Sequence, residues 1–207
     1  MDYQISLSQG PGKKIYVEPE GEEGFFLYPS EVRKLKLKEG MSLSGEELNK
    51  IRLLFALPRA KKRAMGILVK QDKTVQELRE KLIGSGHDSR STEEALRFVI
   101  GAGYVDDDRY ARDYIHARRR KRSDRMIRME LLRKGIAPDL LELVFEEEGP
   151  QNRSQVEDAV RKYMSRFPEP DLSARQKTCA HFYRKGYDSG LIREIVEELA
   201  SDWQACR

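Results

Sequence analysis

Three glycine-centred helix endings recur along this chain, and they constrain its fold more than any other feature. They are Leu82-Ile83-Gly84-Ser85-Gly86-His87, Leu131-Leu132-Arg133-Lys134-Gly135-Ile136 and Phe182-Tyr183-Arg184-Lys185-Gly186-Tyr187. Aligning Gly86, Gly135 and Gly186 gives a period of about 50 residues, in the range of helical repeats. A helix often ends on a left-handed residue, and glycine adopts that conformation at little steric cost. The residue after it can then fold back on the last turn, while Lys134 and Lys185 suit the negative end of the helix dipole. Leu140, Leu141 and Val144 follow Gly135 at the same offsets as Leu191, Ile192 and Ile195 follow Gly186. The first module reads as having a longer loop, Asp88 to Ser91, before Leu96, Val99 and Ile100.

Each module also has two earlier helices. The opening ones are expected near Arg59–Lys70, Asp107–Arg120 and Ser154–Phe167, the second ones near Thr74–Gly84, Asp124–Lys134 and Leu172–Lys185. Upstream the pattern changes. Ile5 and Leu7 alternate with polar residues, Gln9-Gly10-Pro11-Gly12 signals a turn, and Ile15-Tyr16-Val17 and Phe25-Phe26-Leu27-Tyr28 follow. That predicts a three-stranded meander. Pro29 ends its third strand, Ser30 caps a short helix through Leu35, and Ser44 with Glu47 has capping-box spacing. Pro58 reads as a boundary. The expected fold is mostly α: three tandem three-helix repeats forming an elongated curved molecule, preceded by a small β-rich N-terminal segment. The divisions are 1–58, 59–105, 106–149 and 150–207, with Glu148 to Asn152 as a linker.

Composition agrees with thin modules. Of 207 residues, 39% are hydrophobic and 36% charged, so much of the chain must face a surface. No apolar run approaches the roughly 20 residues of a membrane span. Met1 to Gln9 lacks the plan of a signal peptide, and two cysteines, Cys179 and Cys206, make no disulfide framework. A cytoplasmic home is expected. The net charge is +4, but its distribution says more. Arg118, Arg119, Arg120, Lys121, Arg122, Arg125 and Arg128 crowd one stretch, opposed there only by Asp124. The strongest positive field is expected from the middle of the chain.

Two stretches in that middle carry a resemblance. One is Gly103-Tyr104-Val105-Asp106-Asp107-Asp108-Arg109-Tyr110-Ala111, continuing to Tyr114 and Arg118. The other runs from Arg125 to Leu131-Leu132-Arg133-Lys134-Gly135-Ile136. Together with the three-fold repeat they resemble the RecX family, regulators of the bacterial recombinase RecA. The resemblance covers roughly Arg59 to Leu199. Thr74, Glu77 and Leu78 also fit the family's pattern, whereas Lys70 to Lys73 and Ser123-Asp124 depart from it. The β-rich segment is similar to an extension found on some members only. The resemblance implies a mainly negative regulator of RecA, placed in DNA repair, homologous recombination and the SOS response. It would bind RecA filaments on single-stranded DNA, touching the DNA directly or through the filament, and reduce ATPase and strand exchange. It implies no catalysis by the chain itself.

Taken residue by residue, Tyr110, Ala111, Tyr114 and Ile115 form one helix face and read as core. Arg109, Arg112, His116, Arg119 and Arg120 then fall mostly towards solvent. The partner- or DNA-contacting candidates are Arg109, Arg112, Arg118, Arg119, Arg122, Arg125 and Arg128. Asp106, Asp107 and Asp108 suit helix initiation better than a metal, because consecutive carboxylates diverge and nothing completes a shell. His87, His116 and His181 share no ligand spacing. Cys179, near Phe182 and Tyr183, reads as a small buried hydrophobe. Cys206 is assigned no role. No cofactor is expected, and the absence of a long heptad seam favours a monomer. The alternative is an independent helical nucleic-acid-binding protein, since Asp124–Ile136 and Pro138–Phe145 could pass for a helix-turn-helix. Against it, Asp139, Glu142, Glu146 and Glu147 sit where phosphates would lie.

Overall fold

The structure, a computed structural model, describes residues 2–119 and 121–205. Arg120 of the basic stretch and Cys206 therefore lie outside the described residues. The chain begins with β1 (Asp2–Gln9), a 3-10 turn at Pro11–Lys13, β2 (Ile15–Pro19) and β3 (Phe25–Leu27). Helix α1 (Pro29–Leu35) follows, then β4 (Ser42–Ser44) and α2 (Gly45–Ile51). The sheet is antiparallel in the order β3-β2-β1-β4. The meander predicted from sequence is present, but β4 is an addition. Leu43 pairs with Tyr3 across a long stretch of chain, and a three-residue strand has too little alternation to announce itself. The first helix also starts earlier than expected. Pro29 occupies its first turn, where its missing N–H costs nothing. Tyr28 N–H donates to the Glu31 carboxylate at 2.7 Å, so Glu31, not Ser30, closes that end. Ser44 and Glu47 do form a capping box, with Ser44 N–H donating to Glu47 at 2.8 Å and Glu47 N–H to Ser44 Oγ at 3.2 Å.

The expected boundary at Pro58 is replaced by continuous helix. A π-helical turn, Arg52–Ala56, joins α2 to α3 (Leu57–Leu68). Within it the Leu57 N–H reaches back to the Arg52 carbonyl. A proline lacks the N–H that regular α pairing requires, and the wider turn takes up the mismatch. Helices α4 (Val75–Ile83) and α5 (Ser89–Gly101) complete the first module. The second comprises α6 (Asp107–Arg118), α7 (Asp124–Arg133) and α8 (Pro138–Glu147). The third comprises α9 (Arg153–Met164), α10 (Leu172–Arg184) and α11 (Ser189–Ala205). The protein is thus mostly helical with a small N-terminal sheet. Backbone contacts group Met1–Asp106 and Asp107–Arg207 as two compact units.

The three glycines are left-handed, with φ of 87°, 82° and 77° at Gly86, Gly135 and Gly186. After each, the next residue returns to the helix. His87 N–H donates to Leu82, Ile136 to Leu131 and Tyr187 to Phe182, each at 3.2 Å. All three returning side chains are buried. The third helix of every module then begins three residues past its glycine, at Ser89, Pro138 and Ser189. The longer loop expected in module one is therefore absent. Asp88 is the cap itself, accepting from Ser91 N–H at 2.9 Å. Ser91, Thr92 and Ala95 stand at the offsets of Leu140, Leu141 and Val144, and they are buried small residues. Small side chains suit the close packing of α5 on α3, which meets it with Ala60 and Ala64. The polarity of Ser-Arg-Ser-Thr concealed a helix start.

Each module keeps its own core. Leu78, Leu82, Leu96 and Val99 belong to the first, Ile115, Ile127, Leu131 and Leu141 to the second, and Val160, Phe182, Ile192 and Ile195 to the third. A further core, including Ile5, Val17, Phe25 and Leu27, sits under the sheet. Each such fully buried side chain stabilises its module by about 1.5–3 kcal/mol. Cys179 is half-buried against the third core, less covered than expected.

The turns at Gly86 and Gly186 are each covered by what precedes them. Lys14 Nζ donates to the Ser85 carbonyl at 2.6 Å, and Ser123 Oγ donates to the Lys185 carbonyl at 2.6 Å. Ser85 and Lys185 occupy the same place, one residue before the glycine. A Cβ on Gly86 would stand 2.7 Å from Tyr16 Oη, and one on Gly186 3.2 Å from Ser123 Oγ. The sheet is held to module one by further bonds, from Arg59 Nη1 to the Phe26 carbonyl at 2.9 Å and from Ser89 N–H to Glu23 at 2.9 Å.

Candidate partner interface

Helix α6 starts with acidic residues and ends with basic ones, an order that complements the helix dipole. Ala111 and Ile115 are fully buried, while Tyr110 and Tyr114 sit half-buried at the edge of that core. The expected core face is therefore apolar at its centre and aromatic at its rim. The two tyrosine rings stack 6.2 Å apart at 17°. Tyr114 Oη donates to Glu130 at 2.8 Å, and burial followed by that carboxylate pushes the phenol's pKa up. Lys134 Nζ lies 5.5 Å from the Tyr110 ring and 5.7 Å from Tyr114. The Arg118 guanidinium lies 5.1 Å from the Tyr114 ring, within cation–π range.

The seven candidate arginines divide by what they hold. Arg112 grips Asp108 through two bonds at 2.9 and 3.0 Å and also pairs with Glu147. Hydrogen bonding from Arg112 keeps the Asp108 carboxyl below its ordinary pKa. The guanidinium itself is held in its charged form by Asp108 and then Glu147. Arg119 is more deeply committed. Its side chain is 11% exposed, it binds both oxygens of Asp124 at 3.0 Å, and it donates to the Glu148 and Gly149 carbonyls at 3.2 and 2.7 Å. Those carbonyls follow α8, so Arg119 both caps that helix and ties it to α7. The reading of Arg119 as solvent-directed does not hold, and Arg112, with its side chain 31% exposed, is engaged at the surface: Glu147 and Glu148 fold back onto Arg112, and Asp124 with the Glu148 carbonyl onto Arg119.

Arg122 pairs with Glu130 at 2.8 Å and remains partly exposed. Arg128 lies 4.2 Å from the Phe145 ring. Arg125 is exposed at its head, and its Cδ stands 3.2 Å from where a Cβ of Gly186 would be. Arg109 and Arg118 are exposed on α6. His116, expected among the solvent-facing residues, hydrogen-bonds Glu148 at 2.6 Å. The linker after α8 is tied down, since Gln151 Nε2 donates to the Arg119 and Arg122 carbonyls at 2.6 and 3.1 Å. Of the seven candidates, Arg109, Arg118 and Arg125 are thus the exposed ones, and Arg118 lies against the tyrosine pair. Tyr110 and Tyr114 were not singled out as contact residues from sequence. Their flanking by arginine and lysine at helical spacing is the signal that could have done so.

The family model described as RecX, second three-helix domain, matches residues 106–144, the stretch that carries α6, α7 and most of α8. A Regulatory protein RecX from Trichlorobacter lovleyi is 30% identical over 142 residues, covering 65% of this chain and 92% of that protein. The chain belongs to the RecX family. Its likeness to members reaches beyond the modules. A Regulatory protein RecX from Clostridium beijerinckii is 24% identical over 200 residues, covering 95% of this chain and 94% of that one. The N-terminal segment therefore has a counterpart in a RecX relative. Two solved structures share the fold. A crystal structure of regulatory protein RecX superposes with a TM-score of 0.62 over 97% of this chain and 99% of its own, at 21% identity. RecX from Lactobacillus salivarius gives 0.64 over 70% and 96%, at 19% identity. No helix among the described residues is long and apolar enough to cross a membrane.

Proposed function

We propose that this chain regulates the RecA recombinase by binding RecA filaments on single-stranded DNA and lowering their ATPase and strand exchange. The observation that carries this reading is the alignment with a Regulatory protein RecX along 95% of the chain. The protein acts as a cytoplasmic monomer that binds rather than catalyses, without a cofactor. The chain carries four hydrophobic cores, although α3 runs unbroken across the expected 58/59 division. Several modest contacts along one filament add through effective concentration. Arg109, Arg118 and Arg125 offer exposed cations to an acidic groove or to strand phosphates. The acidic face of α8, with Asp139, Glu142 and Glu146 exposed, opposes its use as a recognition helix on bare DNA.

The test is RecA ATPase on single-stranded DNA with this protein titrated in. Wild type should lower the rate as it approaches stoichiometry. Arg118→Gln/Arg125→Gln should need roughly 3- to 10-fold more protein, since exposed charges contribute little each. An unchanged rate with folded wild type across a range of salt would overturn the proposal. So would binding to bare single strands as tight as binding to the RecA–DNA filament.

A further inference from the structure

The third module and the loop before α7 line an open cavity of about 790 Å³. Four cations line it: Lys121 from that loop, Lys162 of α9, Arg166 just after α9, and Lys185 at the end of α10. Asp158 is the one carboxylate among the described lining residues. None of the four cations joins an ion pair among the described residues, in contrast to Arg112, Arg119 and Arg122. Like charges gathered without partners raise the potential of a concave site, and an anion placed there relieves them. His181, also in the lining, reports the same field. Its pKa is lowered by burial first, then by Lys185, Arg184 and Arg166.

The kind of anion follows from the lining. Tyr163 stacks on His181 at 4.0 Å and 19°, and Arg166 lies 5.0 Å from the Tyr163 ring. The rings are thus occupied with each other and with Arg166, so the cavity offers charge rather than open stacking faces. Three flexible ammonium groups and one guanidinium suit tetrahedral oxyanions, which present acceptors in several directions. We propose that this cavity binds a run of two or three neighbouring phosphoryl groups, as a free polyphosphate or as successive phosphodiesters of a nucleic-acid strand. The site is separate from the arginines of α6 and α7, and its test needs no RecA.

The experiment is calorimetric titration of the full chain at low salt with inorganic tripolyphosphate and, in a second arm, with an oligothymidylate. Lys162 and Arg166 are exposed, so Lys162→Gln/Arg166→Gln should fold normally. That variant should bind tripolyphosphate, the oligonucleotide, or both about tenfold more weakly or worse, as expected for lost charge-assisted bonds. Lys34→Gln/Lys38→Gln, which removes the same charge from exposed sites near the sheet, should bind as wild type does. Displacement of the oligonucleotide by tripolyphosphate would identify strand phosphates as a source. Tight tripolyphosphate binding without displacement would identify the free anion. Failure of both probes to bind, or equal weakening by the two variants, would overturn the proposal.

Discussion

The basic stretch of the second module and the cavity of the third reverse each other's appearance. In sequence the first is dense, with six arginines and one lysine between Arg118 and Arg128. In space part of that charge, and Arg112 just before it, is spent within the module. Arg119 braces α7 and the end of α8, Arg112 holds Asp108 and Glu147, and Arg122 holds Glu130. Lys121 of the cavity belongs to that stretch, but Lys162, Arg166 and Lys185 lie forty to sixty-odd positions further on and do not read as a cluster in the sequence. Folding gathers them and gives them one carboxylate neighbour, Asp158. Charge density along a chain thus measures how many ions need partners, while the approach of carboxylates in space decides which remain available.

That contrast can be broken by substitution. Arg119→Ala removes a bidentate pair and two helix-end bonds from a side chain that is 11% exposed, and should cost about 2–4 kcal/mol. Urea unfolding followed by circular dichroism would measure it. A cost near zero would return Arg119 to the partner-facing group.

The histidines sharpen the same distinction between committed and available groups. His87 is buried beside the Phe26 ring, 5.3 Å between centroids. Burial first, and Lys14 next, lower its pKa to about 4 from the ordinary 6.5. The folded protein therefore resists a proton that the unfolded chain accepts. The stability at stake is fully present above about pH 6.5, falls as the pH drops towards 4, and is level below that, with a loss of at most about 3 kcal/mol. The unfolding midpoint of His87→Gln should lose this part of the pH dependence, and an unchanged slope would show that His87 titrates normally.

The smallest effect belongs to the cavity. Lys162→Gln/Arg166→Gln breaks no ion pair among the described residues, so without ligand its stability should lie within about 0.5 kcal/mol of wild type. A larger loss would mean that those cations brace the module as Arg119 does.

What the sequence made legible follows from how local each cause is. The left-handed glycines were readable because a helix end with positive φ favours glycine and a next residue that folds back, all within one turn. The opening and second helices of the three modules lie within three positions of their predicted bounds for the same reason. Asp88 misled because Ser91 and Thr92 are polar yet buried, and their smallness matters only once Ala60 and Ala64 lie opposite. Pro58 misled because the π turn that tolerates it has no residue signature. The arginine cluster was legible as a cluster. Its partners were not, since Asp124, Glu148 and Gly149 reach Arg119 only through the return of the chain.

The covered glycine turns carry a further consequence. A lysine from the sheet and a serine from the second module share neither shape nor charge, yet each plugs the same carbonyl of the repeat at 2.6 Å. The turn works as a standard socket: one bare acceptor beside a residue with no side chain. Whatever supplies a donor there and leaves the glycine its room can stand upstream. Descent can therefore swap a sheet for a module at this joint, or splice modules in and out, without redrafting the piece that receives them.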